Sequence, residues 1–504
     1  MILSSFRQIS LPLLALSCTP VIVRSAPAQP PLPVTVDVAI VGAGLSGLTA
    51  ASNLLAAKKT VLVFEARDRV GGKVFNHPLK NGGVTEVGAE FVGPTQDHVL
   101  KLIKDLGLET FETYNTGDSV LWRNNTRTVY TPDPALGGAP PVDGASLLQV
   151  AAAQQQLDEW AATIKPSSPF SHPKAQEWDS KTFEDFLHQA TPSADANFVL
   201  TTACKSLFSA EPREISLLNV LIYIASAGNE TTTGNLTRLV AVKDGGQESR
   251  VIGGTGLIPT RLADRVGSQH IALNNPVISI TRMGSGYDVK SKHHTVHAKF
   301  VVLALAPPLL QKITFTPALP EARSALNKNM KMPALGKGIA IYKSPFWRTP
   351  TTAQKSGLSA QVLSDAGSVR ATFDSTPHPS TKPAFAAIMG FLLGDEMRAI
   401  DAMSVPAAQA KIVDDYTRYF GAPAKDFVEF VLQRWDLEPF SLGGPVAIAA
   451  PGLLSKYGNA LRQPVEGLHF AGTETADYWM GYMDGAIRSG ERVAKEIITT
   501  KTIV

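Results

Sequence analysis

The chain has 504 residues, 44% hydrophobic and 18% charged, with 40 glycines and 35 prolines. This is a globular composition of about three domains' length, and it needs no disulfide or metal to bury a core. The formal net charge of +3 falls to +1 without the first 25 residues, which hold Arg7 and Arg24, so charge draws the chain to neither nucleic acid nor an anionic membrane.

Two cysteines, Cys18 and Cys204, leave no Cys-x-x-Cys pair, which excludes cysteine zinc sites and dithiol redox chemistry. The histidines fall into no metal-ligand spacing, and no Gly-x-Ser-x-Gly elbow occurs, so neither a metal site nor a serine hydrolase is expected.

Residues 1–25 begin with Arg7 and an apolar stretch from Ile9 to Leu16, the pattern of a secretory signal peptide. The first acidic residue is Asp37, which keeps a mitochondrial presequence as the second choice. A Pro-rich linker, 26–33, follows. Three sequons, at Asn124, Asn229 and Asn235, are glycan acceptors in an exported chain and favour secretion. No 18-residue apolar run follows residue 30, so no membrane span is expected.

Val36–Val41 reads as a buried parallel-type strand, followed at once by Gly42-Ala43-Gly44-Leu45-Ser46-Gly47. Leu48–Lys58 has helical composition, and Val61–Phe64 is a second strand ending in Glu65. Each part has a task in dinucleotide binding. Gly42 permits the tight turn, Gly44 admits a pyrophosphate, and Gly47 lets helix and strand pack closely. The helix N-terminus offers N–H donors to phosphate, with Ser46 in the glycine turn just before it. Glu65 suits ribose hydroxyls and disfavours the 2′-phosphate of NADP, which leaves NAD and FAD.

The next residues choose between them. Ala66-Arg67-Asp68-Arg69-Val70-Gly71-Gly72-Lys73 resembles the second FAD-contacting motif of flavin amine oxidases, with Lys73 where Arg is usual. Gly88-Ala89-Glu90-Phe91-Val92-Gly93-Pro94-Thr95-Gln96 and, near the end, Ala471-Gly472-Thr473-Glu474-Thr475 and Trp479-Met480-Gly481-Tyr482-Met483 resemble the monoamine oxidase branch. Gly245-Gly246-Gln247-Glu248, Pro276-Val277-Ile278 and Lys343-Ser344-Pro345-Phe346-Trp347-Arg348 extend the likeness over about residues 34–500.

The resemblance implies an α/β fold. A Rossmann-like FAD-binding domain is expected from 34–112, 251–301 and 438–504, with an inserted α+β substrate domain from 113–250 and 302–437. It adds Val277, Trp435 and Met483 to the residues expected around FAD. It also implies FAD-dependent oxidative deamination of a primary amine to aldehyde or ketone, ammonia and hydrogen peroxide, with oxygen as acceptor. Lys312 matches the lysine that reaches the flavin through a water. Tyr482 matches one wall of the aromatic cage around the amine, and Gln247 a glutamine of the same cavity.

Two departures matter. In Ser441-Leu442-Gly443-Gly444-Pro445-Val446, Pro445 stands at the family's flavin-attaching cysteine, so FAD is expected to be non-covalent. Val446 stands at the second cage aromatic, so a half-open cage suited to a long aliphatic or amino-alcohol amine is expected. The chain stops soon after its last helix, read as Ala486–Ile498, so no membrane anchor is expected, and a homodimer stays open. The alternatives are an amino-acid or polyamine oxidase, or a non-redox binding protein of the same fold.

Overall fold

The computed structural model describes residues 34–133, 138–351 and 356–500. The expected signal peptide, 1–25, and linker, 26–33, lie outside the described residues.

Two sheets organise the protein. The first has seven strands in the order Thr314–Thr316, Val277–Met283, Gly286–Ser291, Thr295–Ala304, Thr35–Val41, Val61–Phe64 and Ile271–Ala272. An eighth, Leu468–Ala471, pairs with Thr295–Ala304. Thr35–Val41 lies parallel to both of its neighbours. It is apolar nearly throughout because both faces are covered. Val36, Ala39 and Val41 join one apolar cluster, while Val38 and Ile40 join another with helix Leu45–Ala56.

That helix begins at Leu45, inside the glycine turn and earlier than composition suggests. It packs on the last helix, Met483–Thr499. Their close approach depends on Gly490, where a Cβ would lie 2.4 Å from the Ser46 carbonyl oxygen.

The first sheet runs past the boundary expected at residue 301. Strand Thr295–Ala304 crosses that point unbroken, and a short helix, Pro307–Lys312, returns the chain so that Thr314–Thr316 adds beside Val277–Met283. The second sheet has the order Glu429–Arg434, Leu335–Tyr342, Ala386–Leu393, Ala371–Asp374, Leu358–Ser364, Asp118–Arg123 and Thr126–Tyr130. It is mostly antiparallel. A helical layer completes the structure. At its centre is helix Leu217–Ser226, whose ten residues are all buried. No helix among the described residues is long and apolar enough to cross a membrane.

The sequons have different surroundings. Asn124 and Asn125 form the exposed tip of the Asp118–Tyr130 hairpin, both with positive φ, as a two-residue turn of this hand requires. Asn229 and Asn235 are half-buried. Asn229 donates to Asp97, and Asn235 caps helix Leu236–Val240 by accepting from the Arg238 N–H.

Candidate active site

One cavity of about 1610 Å³ runs between the two sheets and the helical layer. Single-ligand pockets hold roughly 300–1,000 Å³, so this one has room for a long cofactor and a second molecule.

Its nucleotide end is built from backbone. Gly42 turns the chain with φ +103°, and a Cβ there would lie 2.8 Å from the Ala304 carbonyl oxygen. Gly47 is closer still: its Cβ would lie 1.9 Å from the Gly42 carbonyl oxygen. It packs the helix onto the turn and does not line the cavity. Gly44 differs, since a Cβ there would meet nothing within 4 Å. The helix starting at Leu45 has no side-chain cap and no acid in its first turn, so its N-terminal N–H groups and dipole stay available to an anion. Ser46, Ala66, Arg67 and Gly72 line the same region.

Buried Glu65 ends the second strand. Its carboxylate accepts from the Ala43 N–H at 2.8 Å and the Arg67 N–H at 2.9 Å, which fixes it beside the turn with further lone pairs free. Open space at Gly44, an uncapped helix start and a fixed acid fit a dinucleotide with free ribose hydroxyls.

The cavity continues past Val277 to a second set of residues from the far end of the chain. Gly472 turns at the end of strand Leu468–Ala471 with φ +113°. Thr473 donates to the Tyr482 carbonyl and accepts from the Gly481 N–H at 2.7 Å. Glu474 accepts from the Ala447 N–H. Trp435 is buried and donates to the Val87 carbonyl at 2.8 Å. Gly88 is required because a Cβ would lie 2.0 Å from the Lys73 carbonyl oxygen. Lys73 donates to the Pro445 carbonyl at 2.6 Å, and burial pushes its ammonium below the usual lysine range. Ala89, Glu90 and Met483 complete this stretch.

Next come the aromatic rings. Tyr482 stands 4.8 Å from Trp479 at 78° and 6.0 Å from Tyr223. Burial pushes the Tyr482 hydroxyl up, against the opposing effects of Tyr223 and Gln247. Gln247 donates to the Leu239 carbonyl at 3.0 Å, and its carboxamide oxygen is buried with no hydrogen-bond partner among the described residues. Tyr223 also lines the cavity, a site residue that sequence reasoning missed. The signal was a phenol in the wholly apolar run Val220–Ile224.

Val446 is a correction. It does not line the cavity but is buried in the helical core with Leu218 and Ile448. Pro445, whose carbonyl is held by Lys73, lines the wall instead.

Lys312 lines the cavity beside Leu309, Ile313 and Phe440. It is exposed, donates to the Pro439 carbonyl at 2.6 Å and lies 5.9 Å from the Phe440 ring.

The outer part is formed by helix Gly144–Ala162 and the segment Leu236–Gln247. Asp158 joins them by accepting from the Leu236 N–H at 2.7 Å, and burial raises its carboxyl above the usual range. Exposed Glu159 and Asp244 line this part with it. No group of His, Cys, Asp and Glu among the described residues is arranged to hold a metal ion.

Comparison with known proteins agrees with this arrangement. Residues 45–498 match the family of flavin containing amine oxidoreductases. Flavin-containing amine oxidase B of Homo sapiens is 33% identical over 468 residues, which cover 92% of this chain and 86% of that protein. A putrescine oxidase solved with bound putrescine superposes with a TM-score of 0.85 at 30% identity, over 92% of this chain and 99% of that one. Cyclohexylamine oxidase from Brevibacterium oxydans IH-35A gives 0.83 at 31% identity, with the same two coverages. The chain belongs to the flavin-containing amine oxidase family and is an enzyme of that family, which implies FAD as cofactor and small-molecule amines as substrates.

Proposed function

We propose that this enzyme converts a primary amine, oxygen and water into an aldehyde or ketone, ammonia and hydrogen peroxide. The supporting observation is the single cavity that joins the glycine turn and Glu65 to Tyr482, Tyr223 and Gln247. FAD, when bound, supplies the electron acceptor for oxidation of the carbon next to nitrogen. Gly42, Gly44, Ser46 and Glu65 would hold its adenosine diphosphate half, and Gly88–Glu90, Trp435 and Gly472–Glu474 the rest. The unit around the first sheet would thus be the cofactor domain, and the second sheet with the helical layer the substrate domain.

The chain's own residues divide the remaining work. Tyr482 and Tyr223 strip water from the amine, which favours its neutral form. The unpartnered Gln247 oxygen accepts an N–H of that amine and orients it. Lys312 provides a cation that favours negative charge on oxygen. FAD is held without a covalent link through cysteine, since no cysteine lines the cavity among the described residues.

A second reading concerns the substrate. Asp158, Glu159 and Asp244 in the outer part favour an amine with a second cationic group over a simple aryl amine. A panel of mono- and diamines with peroxide detection tests both readings. No peroxide from any amine would refute the oxidase reading. Acid precipitation tests the cofactor link: yellow colour left in the pellet would refute non-covalent FAD. Export after cleavage near residue 25 rests on the Arg7-then-apolar start and the three sequons. N-terminal sequencing of the native protein that finds Met1 would refute it.

A further inference from the structure

Four ionisable side chains form a closed array behind one cavity wall. Glu86 and Glu90 are each 2% exposed, and Arg250 and Lys337 each 4%. Arg250 donates to Glu86 through Nε and Nη2, and its Nε lies 3.1 Å from Glu90 Oε1. Lys337 Nζ donates to Glu90 Oε2 at 2.7 Å and to the Glu86 carbonyl at 3.1 Å. Ser375 donates to Glu90 Oε1 at 2.6 Å.

Buried ion pairs of this kind are a poor way to gain stability, because apolar residues of similar volume often do as well or better. The array has a direction, however. Glu90 and Lys337 line the cavity, whereas Glu86 and Arg250 do not. The charges agree with this pairing: burial alone would raise the Glu90 carboxyl, but Lys337 and Arg250 outweigh it and hold it below the usual range. An ammonium has three N–H donors. Lys337 places two on protein oxygens, and no acceptor among the described residues takes the third. The ring of Phe391 lies 5.6 Å from Nζ.

The adenosine half of FAD is accounted for at Glu65 and Gly44. The cofactor's ring system therefore belongs to the next stretch of the cavity, where Gly88–Glu90, Trp435 and Lys337 form the wall. The geometry points to Lys337 and Glu90 as the opposed charges that set how readily the bound FAD ring accepts electrons, an inference that rests on the FAD reading above. A nearby cation favours the negative charge that reduction brings, and a nearby carboxylate opposes it. Both act strongly in a dry wall of low dielectric.

The test is the two-electron reduction potential of the FAD-loaded protein, measured against reference dyes. Lys337→Met should lower the reduction equilibrium constant about tenfold, or roughly 30 mV. Glu90→Gln, which removes the opposing charge, should raise it by about as much. Lys337→Arg should stay within about threefold of wild type. A merely structural pair would move both single variants the same way or not at all, and either result overturns the inference. If Lys337→Met holds no flavin, Glu90→Gln decides: a potential that does not rise refutes it. A wild-type protein that binds no flavin would instead fail the FAD reading itself.

Discussion

The two ends of the cavity are built in opposite ways. The nucleotide end uses one contiguous run, Val36 to Glu65, and works mainly through backbone: three glycines, an uncapped helix start and one carboxylate. The amine end uses side chains from distant segments, with Tyr223, Gln247, Lys312, Lys337, Trp435 and Tyr482 spread over more than 250 residues. The first can be right only if the turn is right. The second can be right only if the whole fold is right, and it holds buried charge that the fold must keep paired. Damage at the first should therefore reach the cofactor, and damage at the second should reach stability and chemistry.

The largest expected effect is at the amine end. Arg250→Met leaves Glu86 and Glu90 short of a buried counter-charge. Breaking such a pair typically costs about 3–5 kcal/mol, which chemical denaturation would read. A loss below about 1 kcal/mol would mean that the array does not hold this end together. Next is Lys312→Met, which removes one preorganised charge and should slow reoxidation by oxygen about 10²–10³-fold, while anaerobic reduction by amine changes little. Stopped-flow absorbance separates the two half-reactions. Slow reduction with fast reoxidation would reverse the assignment, and no change would make Lys312 the exposed lysine that its hydrogen bond to Pro439 also allows.

At the nucleotide end the expected effects are smaller and fall on affinity. Glu65→Ala removes a charged acceptor worth roughly 1.5–3 kcal/mol, or about ten- to a hundredfold in FAD affinity. Gly44→Ala and Gly47→Ala then divide the turn. Gly47→Ala meets protein backbone and should cost about 1–3 kcal/mol of stability. Gly44→Ala meets only open space, so the thermal midpoint should stay put while FAD affinity falls about tenfold as the methyl group enters the pyrophosphate's place. Equal affinity in Gly44→Ala and wild type would move the cofactor away from this turn.

The same contrast explains what could be read from the sequence. The nucleotide end was legible because its parts are local and contiguous in the chain, although the helix start was misjudged by three residues. Tyr223 was not legible, since an apolar helix hides which residue faces a cavity. The Glu86–Arg250–Glu90–Lys337 array was not, because its members meet only after three segments fold together. Val446 shows the sharpest limit. One residue of register in an irregular segment separates Pro445, which lines the cavity, from Val446, which does not, and no local pattern specifies it.

The smallest effect belongs to a carboxyl pair beside the amine end. Asp401 closes helix Gly394–Asp401, where negative charge opposes the helix dipole. Asp436 follows the cavity residue Trp435, and Arg434 Nε lies 3.9 Å from Asp401 Oδ1. Burial first, and then Asp436, push the Asp401 carboxyl up to about 7, against an ordinary value of about 3.9. The folded protein therefore keeps this proton through a range in which the unfolded chain has lost it. The stability so gained is complete below about pH 4 and is lost as pH rises towards 7. Asp401 is only half-buried, so solvent screening holds the contribution to about 1 kcal/mol. Asp401→Asn cannot titrate and should lack this slope. Its thermal midpoint, relative to wild type, should rise by about 1–2 °C between pH 4.5 and pH 8. A difference that stays constant over that interval would show that Asp401 is already ionised in the folded protein at pH 4.5, with Arg434 outweighing Asp436.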